Sequence, residues 1–343
     1  MDVGTDHHSG RIGRANSLPA SWQRRMSAIR TENLQKVYGK VHALDGLTFN
    51  VEPGTIFGFL GPNGAGKSTT IRILTGLAQA TSGRAWVNDF KVGESSDGSH
   101  KQIAKIIGYL PEEPALYSWM TPSELLDYIG CLFELPSIDR HQRTQELLAL
   151  TGLEGVSKRR IGGFSRGMRQ RLGLAQALVN IPQILFLDEP VSALDPIGRC
   201  EILEMISSLR GKCTVFMSTH LLADVERVCD TVGIINHGRM VVTAQKDELL
   251  KRYSIPAIEL ECESGQEKEF SEWCKILQSK GGIQNVTVEG LVARVVVNDL
   301  ESTRSWLLKK AAQSGLGIIR FQVVTPTLED VFLRLVGSNG RLQ

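Results

Sequence analysis

The spacing of apolar and polar positions divides the chain into three stretches. Residues 1 to about 27 are polar, carry Arg11, Arg14, Arg24 and Arg25, and show no apolar helical stripe. That stretch reads as a disordered tail, because it holds too little apolar surface to offset the entropy of ordering. From Ile29 to about Ala244, short apolar runs alternate with segments of helical period. Gly54–Leu60, Ile184–Leu187, Thr214–Ser218 and Val232–Asn236 have the length and composition of central strands buried on both faces. Between Glu112 and Val179 the period is helical. Thr121-Pro122-Ser123-Glu124 spells a capping box with proline at the first helical position, and a second helix is predicted over about Asp139–Leu150, stopped by Gly152.

After Ile255 the pattern changes. It predicts a strand at Ala257–Cys262, a helix at Glu267–Lys280, a hairpin of Gln284–Val288 and Val292–Val297, a helix at Ser302–Gln313 and a strand at Gly317–Val324. The order βαββαβ is that of a small ferredoxin-like domain. A last amphipathic helix, from near Thr327 through Leu335, would close that domain. The expected division is therefore a tail at 1–27, a main domain at 28–252 with a helical part at about 112–179, and an accessory α+β domain at 253–343.

Composition narrows the function classes. With 42% hydrophobic and 22% charged residues in 343 positions, a packed core is expected. The formal net charge of +2 gives no footing for a nucleic-acid partner. None of the six cysteines forms a C-x-x-C pair, so zinc and dithiol chemistry lack support and reduced thiols are expected. No apolar run approaches the ~18 residues of a membrane helix, and no apolar h-region follows the early arginines. A transport path would have to belong to another protein.

Gly61-Pro62-Asn63-Gly64-Ala65-Gly66-Lys67-Ser68-Thr69 matches G-x-x-x-x-G-K-[ST] in full. It follows the apolar run Ile56–Leu60 and precedes Ile71, Leu74 and Leu77, spaced as on a helix face. The glycines let the backbone curl so that successive N–H groups point at phosphates, and the following helix adds its positive end. Lys67 reaches the β- and γ-phosphates and Ser68 offers its hydroxyl to Mg²⁺.

A second motif, Ile184-Leu185-Phe186-Leu187-Asp188-Glu189-Pro190, is an apolar strand that ends in two acids. It carries both carboxylates to the edge where open α/β sheets bind ligands. Asp188 suits the Mg²⁺ shell and Glu189 suits polarisation of an attacking water.

Just before this motif stands Phe164-Ser165-Arg166-Gly167-Met168-Arg169-Gln170-Arg171-Leu172, opening a helix with Met168, Leu172, Ala175 and Leu178 on one face. Here the chain resembles the nucleotide-binding subunits of ABC transporters, which carry an L-S-G-G-Q-like signature at this point. Ser165 and Gly167 match its serine and second glycine. Arg166 and Met168 replace its first glycine and its glutamine. The resemblance covers about Ile29 to Lys251. It implies that Tyr38 stacks on adenine, that Ser192-Ala193-Leu194-Asp195 is the D-loop, and that His220 is the switch histidine. Gly238-Arg239 fits the later hairpin. Glu112 stands where the family has a glutamine that contacts the metal-bound water; a carboxylate can accept there but not donate when ionised. The short tail Pro326–Phe332 resembles the ending of subunits that serve ABC-2-type exporters.

The fold implied is α/β, a P-loop NTPase of the ABC ATPase type with a helical subdomain, plus the small α+β domain. The resemblance further implies ATP and Mg²⁺ as ligands, and a homodimer or heterodimer with a second ABC ATPase subunit. In that dimer, Ser165 and Gly167 of one chain would clamp the ATP of the other. It implies an integral-membrane permease as partner and a place on the cytoplasmic face of the membrane. Two alternatives stay open on the residues alone. One is a soluble ABC ATPase acting on ribosomes or DNA, disfavoured by the single ATPase unit and the lack of a long heptad run. The other is a non-hydrolysing regulator, disfavoured by Glu189 and His220.

Overall fold

The computed structural model describes residues 27–93, 98–192, 194–253 and 256–324, together with Leu328, Glu329, Val331 and Phe332. The tail expected at 1–27 lies outside the described residues except for Ser27. In chain order the elements are β1 (Ile29–Tyr38), β2 (Val41–Val51), β3 (Ile56–Leu60), α1 (Lys67–Leu74), β4 (Ser82–Val87), β5 (Phe90–Lys91), α2 (Ser99–Ile106) and β6 (Ile107–Leu110). Then come α3 (Pro122–Leu132), α4 (Ser137–Leu150), α5 (Arg166–Ala177), β7 (Ile184–Asp188), α6 (Pro196–Ser207), β8 (Thr214–Thr219), α7 (Leu222–Val228), β9 (Thr231–Asn236), β10 (Arg239–Gln245) and α8 (Lys246–Tyr253). The last are β11 (Ala257–Cys262), α9 (Glu267–Gln278), β12 (Ile283–Glu289), β13 (Val292–Val297), α10 (Leu300–Gln313) and β14 (Ile318–Val324).

The continuous apolar runs become the centre of a six-stranded sheet, ordered β10-β9-β3-β8-β7-β6 and parallel except for β10. Their alternation divides them between two cores. Phe57, Phe59, Phe186 and Phe216 face one side; Ile56, Leu60, Leu185, Leu187, Val215 and Met217 face the other. On the phenylalanine side lies a second, antiparallel sheet ordered β2-β1-β4-β5, which the sequence reading did not separate from the main one. Phe49 of β2 bridges the two, with ring centroids 5.8 Å from Phe57, 5.6 Å from Phe59 and 5.9 Å from Phe216. Truncating one such ring to alanine costs about 3–5 kcal/mol. Against a total stability of about 5–15 kcal/mol, that contact fixes how the sheets sit.

The opposite side packs against α3, α4 and α5. Helix α3 starts as predicted: the Thr121 hydroxyl accepts from the Glu124 N–H (3.3 Å) and the Glu124 carboxylate accepts from the Thr121 N–H (2.8 Å). Helix α1 is shorter than the spacing of Ile71, Leu74 and Leu77 predicts. It ends at Leu74, Gly76 turns the chain at φ +78°, and Leu77 is exposed.

The C-terminal strands form a third sheet, ordered β12-β13-β11-β14 and antiparallel throughout. One face is covered by α9 and α10 around Phe270, Leu277 and Leu307. On β11 and β14, Glu259 and Glu261 pair with Arg320 at 3.6 and 3.2 Å. The last helical residues correct an expectation. Leu328, Val331 and Phe332 do not close the small domain; they join the core of the large one, in the cluster that holds Val225, Val228 and Leu249. The Leu328 N–H donates to the Glu226 carboxylate on α7. The small domain already has two helices on its apolar face, so the tail finds its uncovered apolar surface elsewhere.

Candidate functional site

Parallel register builds the site. Leu60 at the end of β3 lies opposite Thr219 of β8, and Ser218 lies opposite Asp188 of β7. Three adjacent strands therefore end level, and the residues that follow them meet at one edge. After β3 the chain forms the phosphate loop. Gly66, the N-cap of α1, has φ +108°, and a Cβ there would sit 2.6 Å from the Ala43 carbonyl oxygen, so only glycine fits without strain. No side chain caps the first turn of α1, which leaves its amides open to an anion.

A cavity of about 350 Å³ opens at this edge, lined by Asn63, Gly64, Gly66–Thr69, Ala43, Glu112, Glu189 and His220. Lys67 is buried and its ammonium donates to the carbonyls of Gly61 (2.8 Å) and Pro62 (3.3 Å). It also stands 3.1 Å from Glu189 Oε1. Ala65 holds the loop down, its N–H donating to the Pro62 carbonyl (3.1 Å) and its carbonyl accepting from Gly238 (3.0 Å). The hydroxyls of Ser68 (3.1 Å) and Ser218 (2.6 Å) both donate to Asp188 Oδ1. Ser68 and Asp188 thus present hard oxygens side by side, the donor type that Mg²⁺ takes when it keeps most of its waters. Among the described residues there is no cluster of three or more His, Cys, Asp or Glu side chains set to enclose a metal.

Glu189 has φ +47°, a left-handed backbone that costs about 1–3 kcal/mol for a residue with a side chain. Its N–H is shared between the carbonyl (3.2 Å) and hydroxyl (3.1 Å) of Ser218, which hold the strained turn in place. The bend turns the buried carboxylate back into the cavity. Its second oxygen accepts from His220 Nδ1 at 2.9 Å; an ionised carboxylate only accepts, so the proton is assigned to Nδ1. Nearby, burial raises the Tyr109 phenol above its usual range, the Asp188 charge adds to that, and Arg72 opposes it.

The remaining candidates lie elsewhere. Tyr38, at the end of β1, is half exposed and outside the cavity wall, with the Lys36 ammonium 4.7 Å from its ring centroid. Ser165 caps α5, its hydroxyl accepting from the Met168 N–H at 3.2 Å, and Gly167 lies in the first turn. Asp195 caps α6, accepting from the Gly198 N–H at 3.3 Å. None of these three lines the cavity. Between the Glu112 loop and the start of α5 is a separate hollow of about 450 Å³, where Arg166 approaches Glu113 at 3.8 Å. Both side chains are exposed, so that pair contributes at most about 1 kcal/mol. Sequence reading missed Ser218. Its signal was a hydroxyl residue near the end of an otherwise apolar strand, one strand away from the acidic motif.

Comparison with known proteins places the chain among relatives. Residues 44–192 match the ABC transporter family, and residues 245–336 match the C-terminal domain of DrrA1-3-like ATP-binding proteins. The chain is 39% identical over 306 residues to the ABC transporter ATP-binding protein YxlF of Bacillus subtilis, covering 89% of this chain and 98% of that one. It is 36% identical to the bacitracin transport ATP-binding protein BcrA of Bacillus licheniformis, covering 90% and 97%. A solved ATP-binding cassette, dimeric and in a post-hydrolysis state with ADP and Pi, superposes with a TM-score of 0.58 at 25% identity, over 63% of this chain and 98% of that one. By its sequence and its fold, the chain belongs to the ATP-binding proteins of ABC transporters, with a DrrA-like C-terminal domain appended.

Proposed function

We propose that the chain hydrolyses ATP at an interface between two ABC ATPase subunits and so powers export through a separate integral-membrane permease. The observation that carries this reading is the division of the motif residues. Lys67, Ser68, Glu189 and His220 line one cavity, with Asp188 bonded to Ser68 behind it, while Ser165, Gly167 and Asp195 stand outside it. A second subunit, identical or paralogous, supplies what one chain lacks.

In this reading the loop Gly61–Thr69 and the open turn of α1 bind the phosphates, and Tyr38 packs on adenine. Ser68 and Asp188 would hold Mg²⁺, and Glu112, on the wall of the same cavity, would add a further oxygen acceptor. The metal supplies charge neutralisation on the phosphate oxygens. Glu189 accepts a proton from the attacking water, and His220 holds that carboxylate in place and faces the γ-phosphate. Lys67 leaves Glu189 for the phosphates when nucleotide enters, which frees the carboxylate to act. Ser165 and Gly167 of the opposite subunit present the start of α5 to the γ-phosphate, and closure excludes water.

Transport is supported by the transport role in the name of BcrA, and the outward direction by the DrrA-like C-terminal domain together with the resistance role in the name of the related DrrA3. No helix among the described residues is long and apolar enough to cross a membrane, so in this reading the permease holds the subunit at the cytoplasmic face. The test is phosphate release by Glu189→Gln. Turnover is expected to fall at least ~100-fold with ATP affinity retained. Turnover at the unsubstituted rate contradicts the role of Glu189.

A further inference from the structure

Asp224 lies outside the motif residues and is fully buried in the first turn of α7, the helix that follows His220. Its Oδ1 accepts from Arg199 Nε at 2.6 Å, and Nη2 of the same guanidinium stands 2.5 Å away as an ion pair. Its Oδ2 is buried with no hydrogen-bond partner. Burial raises its carboxyl above the ordinary range; Arg199 and Thr219 oppose this and the Glu189 charge adds to it. A buried ion pair is a poor means of gaining stability, because desolvation offsets most of the attraction. Its position explains it better.

Arg199 is one turn into α6 and its N–H donates to the Asp195 carbonyl at 2.9 Å, so it belongs to the same turn as the cap residue. On the other side, Asp224 is tied to the chain after β8, its N–H donating to the Leu221 carbonyl at 3.2 Å. His220 then contacts Glu189, and Glu189 contacts Lys67. A continuous line of contacts runs from Asp195, outside the cavity, to Lys67 inside it. The Asp224–Arg199 pair, buried on the carboxylate side, is the link that crosses from α6 to α7. The same helices are also fastened at the surface by Arg227, which meets Glu204 at 3.1 Å and Cys200 Sγ at 2.9 Å. The packing of the helices therefore does not rest on Asp224 alone.

We propose that Asp224, through Arg199, is a positioning residue for hydrolysis. It joins the Asp195 turn to the His220–Glu189 pair, so that the state of the subunit interface sets the geometry of the hydrolytic groups. The proposal rests on the two-subunit reading above and adds the route by which one side of that interface reports to the chemistry.

The test compares Asp224→Asn and Arg199→Lys in the full chain. The first keeps shape and removes charge; the second keeps charge and removes the two-nitrogen fork. Each should lower kcat for ATP at least ~tenfold with KM changed less than about threefold, the pattern of a lost transition-state interaction. ATP affinity, measured directly in the Glu189→Gln background, should stay within about threefold. If Asp224→Asn does not fold, Arg199→Lys decides, since its side chain is partly exposed. Unchanged kcat in the folded variants overturns the proposal, as does a rise in KM at constant kcat. If Glu189→Gln abolishes turnover while both variants match the unsubstituted chain, the link fails and the proposed function stands. If Glu189→Gln itself keeps turnover, the hydrolytic role fails and the link falls with it.

Discussion

Helices α1 and α5 begin in opposite ways, although the proposed function gives each N-terminus a phosphate to face. Helix α1 starts from Gly66, has no side-chain cap, carries Lys67 at its first position, and opens on Glu189 and His220, with Asp188 bonded to Ser68. Helix α5 starts from Ser165, whose hydroxyl already accepts from Met168, and Arg166 at its first position is exposed. The first site carries a binding cation, a metal-type oxygen pair and a general base. The second carries dipole and charge alone. In the proposed function this contrast divides the chemistry: one chain supplies the first half, and the other half is assigned to a second subunit.

Substitution should separate the two ends. Lys67→Ala removes the cation that balances Glu189 and to which the proposed function assigns phosphate binding. It should abolish turnover, by at least ~1,000-fold, and weaken ATP binding in equilibrium titration. ATP affinity within twofold of the unsubstituted chain would break the assignment of α1. Gly167→Asp places a negative charge in the first turn of α5. Turnover should fall ~100-fold while ATP still binds the single subunit within about threefold, because the change acts only across the interface. An equal loss of both would mean that α5 contributes to its own chain's site. Thr121→Ala gives the scale of a purely structural cap. Losing its hydroxyl should cost ~1 kcal/mol and lower the melting temperature by roughly 2–4 °C without changing KM. A changed KM would show that α3 reaches the nucleotide.

Much of this was legible in the residues. The runs Ile56–Leu60, Ile184–Leu187 and Thr214–Ser218 announced central strands, and a strand before each motif placed the loop, the acids and the histidine at one edge. The capping box at Thr121 and the βαββαβ order of the C-terminal part were also readable, because their signals are local. What escaped was set by long-range packing. Whether β1 and β2 join the parallel sheet depends on where Phe49 finds its partners, not on their own spacing. Leu328 and Val331 form an apolar stripe that fits either domain; only the occupied face of the small sheet sends them to the large one. Ser218 and Asp224 act through partners about 25 to 30 residues away, and no motif marks either.

The most direct measurement is the mass in solution of the Glu189→Gln chain, by light scattering, with and without ATP and Mg²⁺. Trapped nucleotide should turn the 37.8 kDa chain into a particle of two subunits, either alone or with its paralogue, and removing Mg²⁺ should reverse it. A chain that binds ATP tightly yet stays single, whichever related subunit is added, would contradict a site shared between two subunits.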